Sequence, residues 1–165
     1  MNTIYLLTGG NLNDRLELIL KAKNLIIETI GNCVKESAIY ESEPWGFEAE
    51  QNFMNQVLVI ETKLDAMQVL DKCNQIENKL GRVRLQNGYA SRTMDIDILF
   101  FNNDIIDTPQ LTIPHAHLHD RRFTLLPLVE LSPEYVHPKL KKSLNSLLLQ
   151  CSDLSDVKKH QDKRP

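Results

Sequence analysis

Residues 82–101, RVRLQNGYASRTMDIDILFF, set the main problem in this chain. The first half is cationic, with Arg82, Arg84 and Arg92. The second half is an apolar run, Met94, Ile96, Ile98, Leu99, Phe100 and Phe101, interrupted by Asp95 and Asp97. Such a run predicts a buried strand. Two carboxylates within it need a reason, because a buried pair of like charges is costly unless a cation neutralises it. Residues i and i+2 of a strand share a face, roughly 6.5–7 Å apart. Asp95 and Asp97 can therefore grip one metal ion or bracket two. An Asp-x-Asp pair alone also suits a solvated sheet face; the apolar neighbours and the arginines favour a site. Arginine's planar fork matches phosphate oxygens, so the stretch points to Mg²⁺ and a polyphosphate.

Working outward, residues 3–8 predict a first strand, broken by Gly9, Gly10 and Asn11 as a strand-to-helix turn. Asn13 or Asp14 can cap a helix whose stripe runs through Leu16, Ile19, Leu20, Ile26, Ile27 and Ile30, with Gly31 and Asn32 ending it. A second strand is expected over 34–40, a loop over 41–52 and a third strand over 53–62. Asp65 and Gln68 form a capping box for a second helix through Val69, Leu70, Cys73, Ile76 and Leu80. After the strand that carries the acids, Asn102, Asn103 and Asp104 predict a hairpin returning through Ile105 and Ile106. Residues 123–131 and 143–151 read as short helices, and 152–165 as a loose tail. Strand, helix, strand, strand, helix, strand is the split βαβ, or ferredoxin-like, order. The expected fold is α+β: an antiparallel sheet with helices packed on it and C-terminal additions, in one domain over 1–165.

Composition narrows the function. With 165 residues, 42% hydrophobic and 25% charged, the chain suits a soluble domain with a sizeable core. A net charge of −3 argues against a general nucleic-acid partner, which needs a basic footprint. No run is long and apolar enough for a membrane span. Nothing resembles a signal peptide, and the three scattered cysteines suit a reducing compartment, so the expected location is cytoplasmic.

Three groups carry candidate chemistry. The acidic group is Asp95, Asp97 and Glu77, oxygen ligands of the kind Mg²⁺ takes along with substrate phosphates; a helix glutamate such as Glu77 is equally read as an exposed charge. The basic group is Arg82, Arg84, Arg92, Arg121 and Arg122. It can position phosphates or form a solvated face. The chain has no P-loop signature, so any ATP is held otherwise. The aromatic and polar group is Trp45, Phe53, Asn55 and Phe123. A flat heterocycle could stack on Phe53 while Asn55 reads its edge, although both phenylalanines also suit a core. His117 and His119 read as a solvated loop.

Several motifs then occur in one order: Gly9-Gly10-Asn11-Leu12; Gly81-Arg82-Val83-Arg84; Ala90-Ser91-Arg92-Thr93-Met94-Asp95-Ile96-Asp97-Ile98-Leu99; and Leu111-Thr112-Ile113-Pro114-His115 followed by Arg121 and Phe123. Together they resemble the 6-hydroxymethyl-7,8-dihydropterin pyrophosphokinase family of folate biosynthesis, over nearly all the chain to about Leu131. The resemblance implies transfer of diphosphate from ATP to the pterin hydroxymethyl group, with release of AMP. It implies that Asp95 and Asp97 hold two Mg²⁺ ions, and that Arg82 and Arg92 are catalytic cations. It assigns ATP to Glu77, Arg84, Ile98, Thr112, His115 and Arg121. The pterin falls to Ser42, Pro44, Trp45, Phe53, Asn55 and Phe123. The implied partners are ATP and 6-hydroxymethyl-7,8-dihydropterin, with no nucleic acid and no membrane, and a monomer is expected. The chain departs from frequent family residues at Gly88, Tyr89, Gln110 and Ala116, which bears on the adenosine side. Two other readings compete: a nucleotidyl transferase with Asp-x-Asp on a ferredoxin-like sheet, and a non-catalytic binding module. The first needs a template groove and the second needs no paired acids.

Overall fold

The computed structural model describes residues 1–43, 51–81 and 93–161. Strand β1 (Asn2–Gly10) leads through helix α1 (Arg15–Thr29) to two short strands, β2 (Asn32–Glu36) and β3 (Tyr40–Ser42). Strand β4 (Phe53–Thr62), helix α2 (Ala66–Lys79) and strand β5 (Asp95–Phe101) follow. The remainder comprises β6 (Ile106–Asp107), β7 (Thr112–Ile113), a 3₁₀ turn (Leu118–Asp120), α3 (Arg122–Leu131), α4 (Leu144–Gln150) and β8 (Val157–Lys159).

The helix starts follow local capping chemistry. Asp14, rather than Asn13, caps α1 by accepting the Glu17 N–H at 3.1 Å. Asp65 and Gln68 form the expected box at α2, with reciprocal bonds of 2.8 and 2.9 Å. Gly81, at φ 87°, sits just past α2, in the left-handed region that glycine enters without a Cβ penalty.

The sheet order is β5-β1-β4-β3-β8, with β2 also on β4, and neighbours are antiparallel. Helix α1 carries the chain from β1 over β4 to β2 and β3. Helix α2 carries it from β4 over β1 to β5. These are two interleaved split βαβ units, the expected ferredoxin-like arrangement.

Two apolar layers flank the sheet. Ile4, Leu6, Leu58, Ile60, Ile96 and Ile98 pack under α1 and α2, while Tyr5, Leu7, Val57, Val59, Leu99 and Phe100 pack under α3 and α4. Period-two alternation along each strand produces this division. A shift in register between Tyr5 and Leu6 sends both Leu99 and Phe100 to the second layer.

Several expectations change. The strand expected over 34–40 is two strands, because Ser37 diverts the ladder: its Oγ accepts the Val57 N–H at 3.0 Å, and its own N–H donates to the Val57 carbonyl. Gly9 and Gly10 do not break β1; they lie within it, opposite Asn55 and Met54. The buried stripe of α1 is Ile19, Ala22 and Ile26, whereas Leu20 and Ile27 are exposed. The turn after β5 forms, with Asp104 N–H donating to Phe101, but Ile106 pairs with Ile113 and not back along β5. Within the tail expected to be loose, residues 157–159 add an edge strand to β3 and so occupy its open backbone groups. All three cysteines are free thiols, with Cys73 buried. No helix among the described residues is long and apolar enough to cross a membrane.

Candidate active site

The second layer does not run the full length of the strands. At one end of the sheet a cross-strand row replaces it. Gly9 faces Asp95 on one side and Asn55 on the other, and Asn55 in turn faces Tyr40. One step inward, Leu7 faces Asp97 and Val57, where the apolar layer resumes. Asp95 and Asp97 thus share a face with Asn55, two strands away. At the usual spacing between strands the Cα separation from Asp95 to Asn55 is about 10 Å.

Both acids are partly exposed at the surface of β5, and the Asp97 side chain keeps 29% of its area open. Backbone support comes from the opposite side of the sheet. Glu77, only 2% exposed on α2, accepts the N–H of Ile96 with Oε2 at 2.8 Å. Its carboxylate therefore grips the peptide between the two aspartates. The reading of Glu77 as an exposed helix charge is overturned. The side chain of Ile98 also points away from the acids, into the core under α1 and α2, so any part it plays in binding falls to its main chain.

His115 reaches the acids from the chain beyond β7. Its N–H donates to the Leu99 carbonyl at 3.1 Å, along the outer edge of β5. Its Nδ1 accepts the His117 N–H at 3.1 Å, leaving the proton on Nε2, which lies 3.9 Å from Asp97 Oδ2. Burial, then the charges of Arg121 and His117, push its pKa down to about 4 against the opposing pull of Asp95. At neutral pH, His115 is thus an uncharged donor facing the acid pair. Thr112 is exposed on β7, paired with Asp107.

The opposite wall belongs to α3. Arg121 is its N-cap, and its Cζ lies 5.6 Å from the ring centre of Phe123 in the first turn, within cation–π reach. Phe123 is only partly buried and packs on the edge of the second layer. Helix α3 packs on β3 and β4, whose same-face residues at this end are Ser42, Phe53 and Asn55. Ser42 lies opposite Phe53 in the ladder, and its Oγ accepts from Asn55 Nδ2 at 3.3 Å. This bond turns Asn55 Oδ1 over Gly9, where an added Cβ would come within 2.1 Å of it.

The structure thus gathers Asp95, Asp97, His115, Arg121, Ser42, Asn55, Phe53 and Phe123 at one end of one sheet face. Glu77 supports them from behind. The expected roles of Arg82, Arg84, Arg92, Pro44 and Trp45, and the departures at Gly88 and Tyr89, lie outside the described residues. The sequence pattern does not single out Gly9, which the structure places between Asp95 and Asn55. A glycine inside a strand pattern signals close approach by another group, and here that group is Asn55.

The donor set fits a hard divalent cation. Two carboxylates project from neighbouring same-face positions and remain partly open, and the adjacent imidazole is neutral. Mg²⁺ typically takes such a pair and fills its other positions with water and phosphate oxygen. Among the described residues no group of three or more His, Cys, Asp or Glu side chains is placed to hold a metal ion.

The family model for 7,8-dihydro-6-hydroxymethylpterin-pyrophosphokinase (HPPK) matches residues 5–133. The chain is 37% identical over 161 residues to the 2-amino-4-hydroxy-6-hydroxymethyldihydropteridine pyrophosphokinase of Haemophilus influenzae, covering 96% of this chain and 98% of that one. The protein of the same name from Aquifex aeolicus is 39% identical over 144 residues, covering 87% and 89% of the two chains. That from Bacillus subtilis is 39% identical over 131 residues, covering 79% and 78%. Among solved structures, Plasmodium falciparum HPPK-DHPS with pteroate superposes with a TM-score of 0.72 at 20% identity, over 90% of this chain and 42% of that one. At that identity the likeness concerns the fold, and this chain spans less than half of that longer protein. The match over 5–133 and the relatives at this identity and coverage show that the chain belongs to the 7,8-dihydro-6-hydroxymethylpterin-pyrophosphokinase family.

Proposed function

We propose that the chain transfers diphosphate from ATP to the hydroxymethyl oxygen of 6-hydroxymethyl-7,8-dihydropterin, releasing AMP, in tetrahydrofolate biosynthesis. The observation that carries this reading is the cross-strand row: a carboxylate pair at one side of the sheet end and an amide-and-aromatic cleft at the other, separated by the small Gly9.

In the cleft, Phe53 and Phe123 provide flat faces for the pterin. Asn55, oriented by Ser42, presents its amide to the heterocycle edge. The acceptor oxygen then points along the sheet toward Asp95 and Asp97. Those aspartates are the residues we assign to two Mg²⁺ ions, which when bound would offset phosphate charge and help the hydroxyl lose its proton. His115 donates from Nε2 toward the same phosphates, and Arg121 adds a fixed positive charge. Arg82, Arg84 and Arg92 are assigned to the phosphates as well, and Pro44 and Trp45 to the pterin side. Thr112 and the main chain of Ile98 are assigned to the nucleotide. Glu77, named with the ATP group, acts on this reading through the Ile96 peptide. We further take 1–165 as one catalytic domain, cytoplasmic and monomeric, with no nucleic-acid partner.

Incubation with ATP, Mg²⁺ and the reduced pterin alcohol tests the reading. Formation of AMP and a pterin diphosphate is expected. Formation of ADP, or no pterin-dependent turnover, would reject it.

A further inference from the structure

The segment beyond the family-matched residues touches both walls of the cleft. Asp153 Oδ2 accepts the Arg122 N–H at 2.9 Å, and Oδ1 accepts the Ser155 N–H at 2.9 Å. Arg122 lies between Arg121 and Phe123. The α3 N-cap residue, Arg121, makes no side-chain cap bond of its own. Asp153 therefore supplies from a distant part of the chain the acceptor and negative charge that a helix start favours. Burial opposes that charge, yet the two N–H groups and the Arg122 guanidinium outweigh it and hold the carboxyl below its usual range.

Four residues later the same segment is bonded to the other wall. Strand β8 pairs Val157 with Ser42 and Lys159 with Tyr40, and His160 N–H donates to Ile39 at 2.7 Å. Four residues extend at most about 14 Å, which bounds how far apart the two attachment points can move. The far end of α3 is tied to the same strand. Glu130 accepts the Tyr40 hydroxyl at 2.6 Å, with Lys159 Nζ 4.0 Å away.

We propose that residues 153–159 brace the acceptor cleft, with Asp153 as a positioning residue that sets where Phe123 stands relative to Ser42, Asn55 and Phe53. The inference rests on the pterin reading of that cleft. Two full-length variants test it: D153A, and insertion of two glycines after Leu154, a fully solvated position at 84% exposure. AMP formation is followed while pterin and ATP are varied separately. Both variants should raise the pterin KM about fivefold, the scale of a lost helix cap. The ATP KM should rise less than the pterin KM, because Arg121 shares the same helix start, and kcat should stay within about twofold. D153N, which keeps one acceptor oxygen, should recover most of the loss. Equal changes in both KM values, or an unchanged pterin KM with a lowered Tm, would overturn the brace. Wild-type protein that forms no AMP would instead sink the function reading.

Discussion

The two faces of the central sheet are made by alternate residues of the same strands and have opposite fates. Under α1 and α2 the apolar set extends toward the strand ends, with Met54, Ile96 and Ile98 all buried. Under α3 and α4 the set stops at Leu7 and Val57, and the next row is Asp95, Gly9 and Asn55. A single strand such as β5 therefore buries Ile96 and Ile98 with one parity and presents Asp95 and Asp97 with the other. The rigid apolar face fixes the backbone, so the polar end of the other face can hold charges in place.

The sharpest way to break this comparison is to mutate neighbours on β5. D97A should lower kcat at least about a thousandfold, the scale of several kcal/mol of lost charge stabilisation, with little change in Tm. I98A should do the reverse, costing about 2–5 kcal/mol of stability as a core cavity while the folded enzyme still turns over. Denaturation midpoints and steady-state rates on both variants decide it. A D97A enzyme with near-normal rate would end the metal assignment.

G9A acts on the row itself. Its Cβ would meet Asn55 Oδ1 at 2.1 Å and the Met54 carbonyl at 2.6 Å. Displacing the Asn55 amide should weaken pterin binding on the order of tenfold, with an overpacking cost of about 1–3 kcal/mol in unfolding experiments. F123A probes the far wall. It should raise the pterin KM by about tenfold or less, through lost ring contact, and the ATP KM less. Equal losses would make Phe123 a core residue only.

The smallest effect sharpens the α3–α4 side away from the site. His137 is buried, and its Nδ1 accepts the N–H groups of Lys139 and Leu140 at 3.1 and 3.0 Å. Burial, then the charges of His119 and Lys139, push its pKa down to about 4. The unfolded chain, titrating near 6.5, binds the proton more readily. Stability from this group is thus complete above about pH 6.5 and declines as pH falls toward 4. H137N keeps an acceptor but cannot titrate, so its Tm should fall less over that interval. Parallel Tm–pH curves for the two proteins would refute this.

Much of the fold was legible because its signals are local. The Asp65 and Gln68 box, the alternation of β4 and the apolar run of β5 each depend on near neighbours in the chain. The break at Ser37 was hidden, because it depends on a bond to Val57 twenty residues away. The α1 stripe includes Ile19, Ile26 and Ile30, which are buried, but also Leu20 and Ile27, which are exposed, while Ala22 takes the place beside the buried residues; the pattern admits more than one face. The hairpin return after β5 was drawn to a nearby pairing, but Ile106 found Ile113.

For the site, residue type and spacing single out Asp95, Asp97, Arg121, Phe53, Asn55 and Phe123 as candidates, and the motif resemblance adds Ser42 and His115 and implies a role for each. Their kinship in space came from the register of β1 against β4 and β5, which no local pattern encodes. Burial of Glu77 behind the acids, the space that Gly9 leaves for Asn55, and the reach of Asp153 to the start of α3 were likewise decided by the tertiary structure. Sequence by itself determined which groups could do the chemistry, since ligand type, charge and period-two spacing are covalent properties of the chain. Only the folded sheet decided which of them face one another, because distance between strands is set by pairing across long separations and not by neighbours along the backbone.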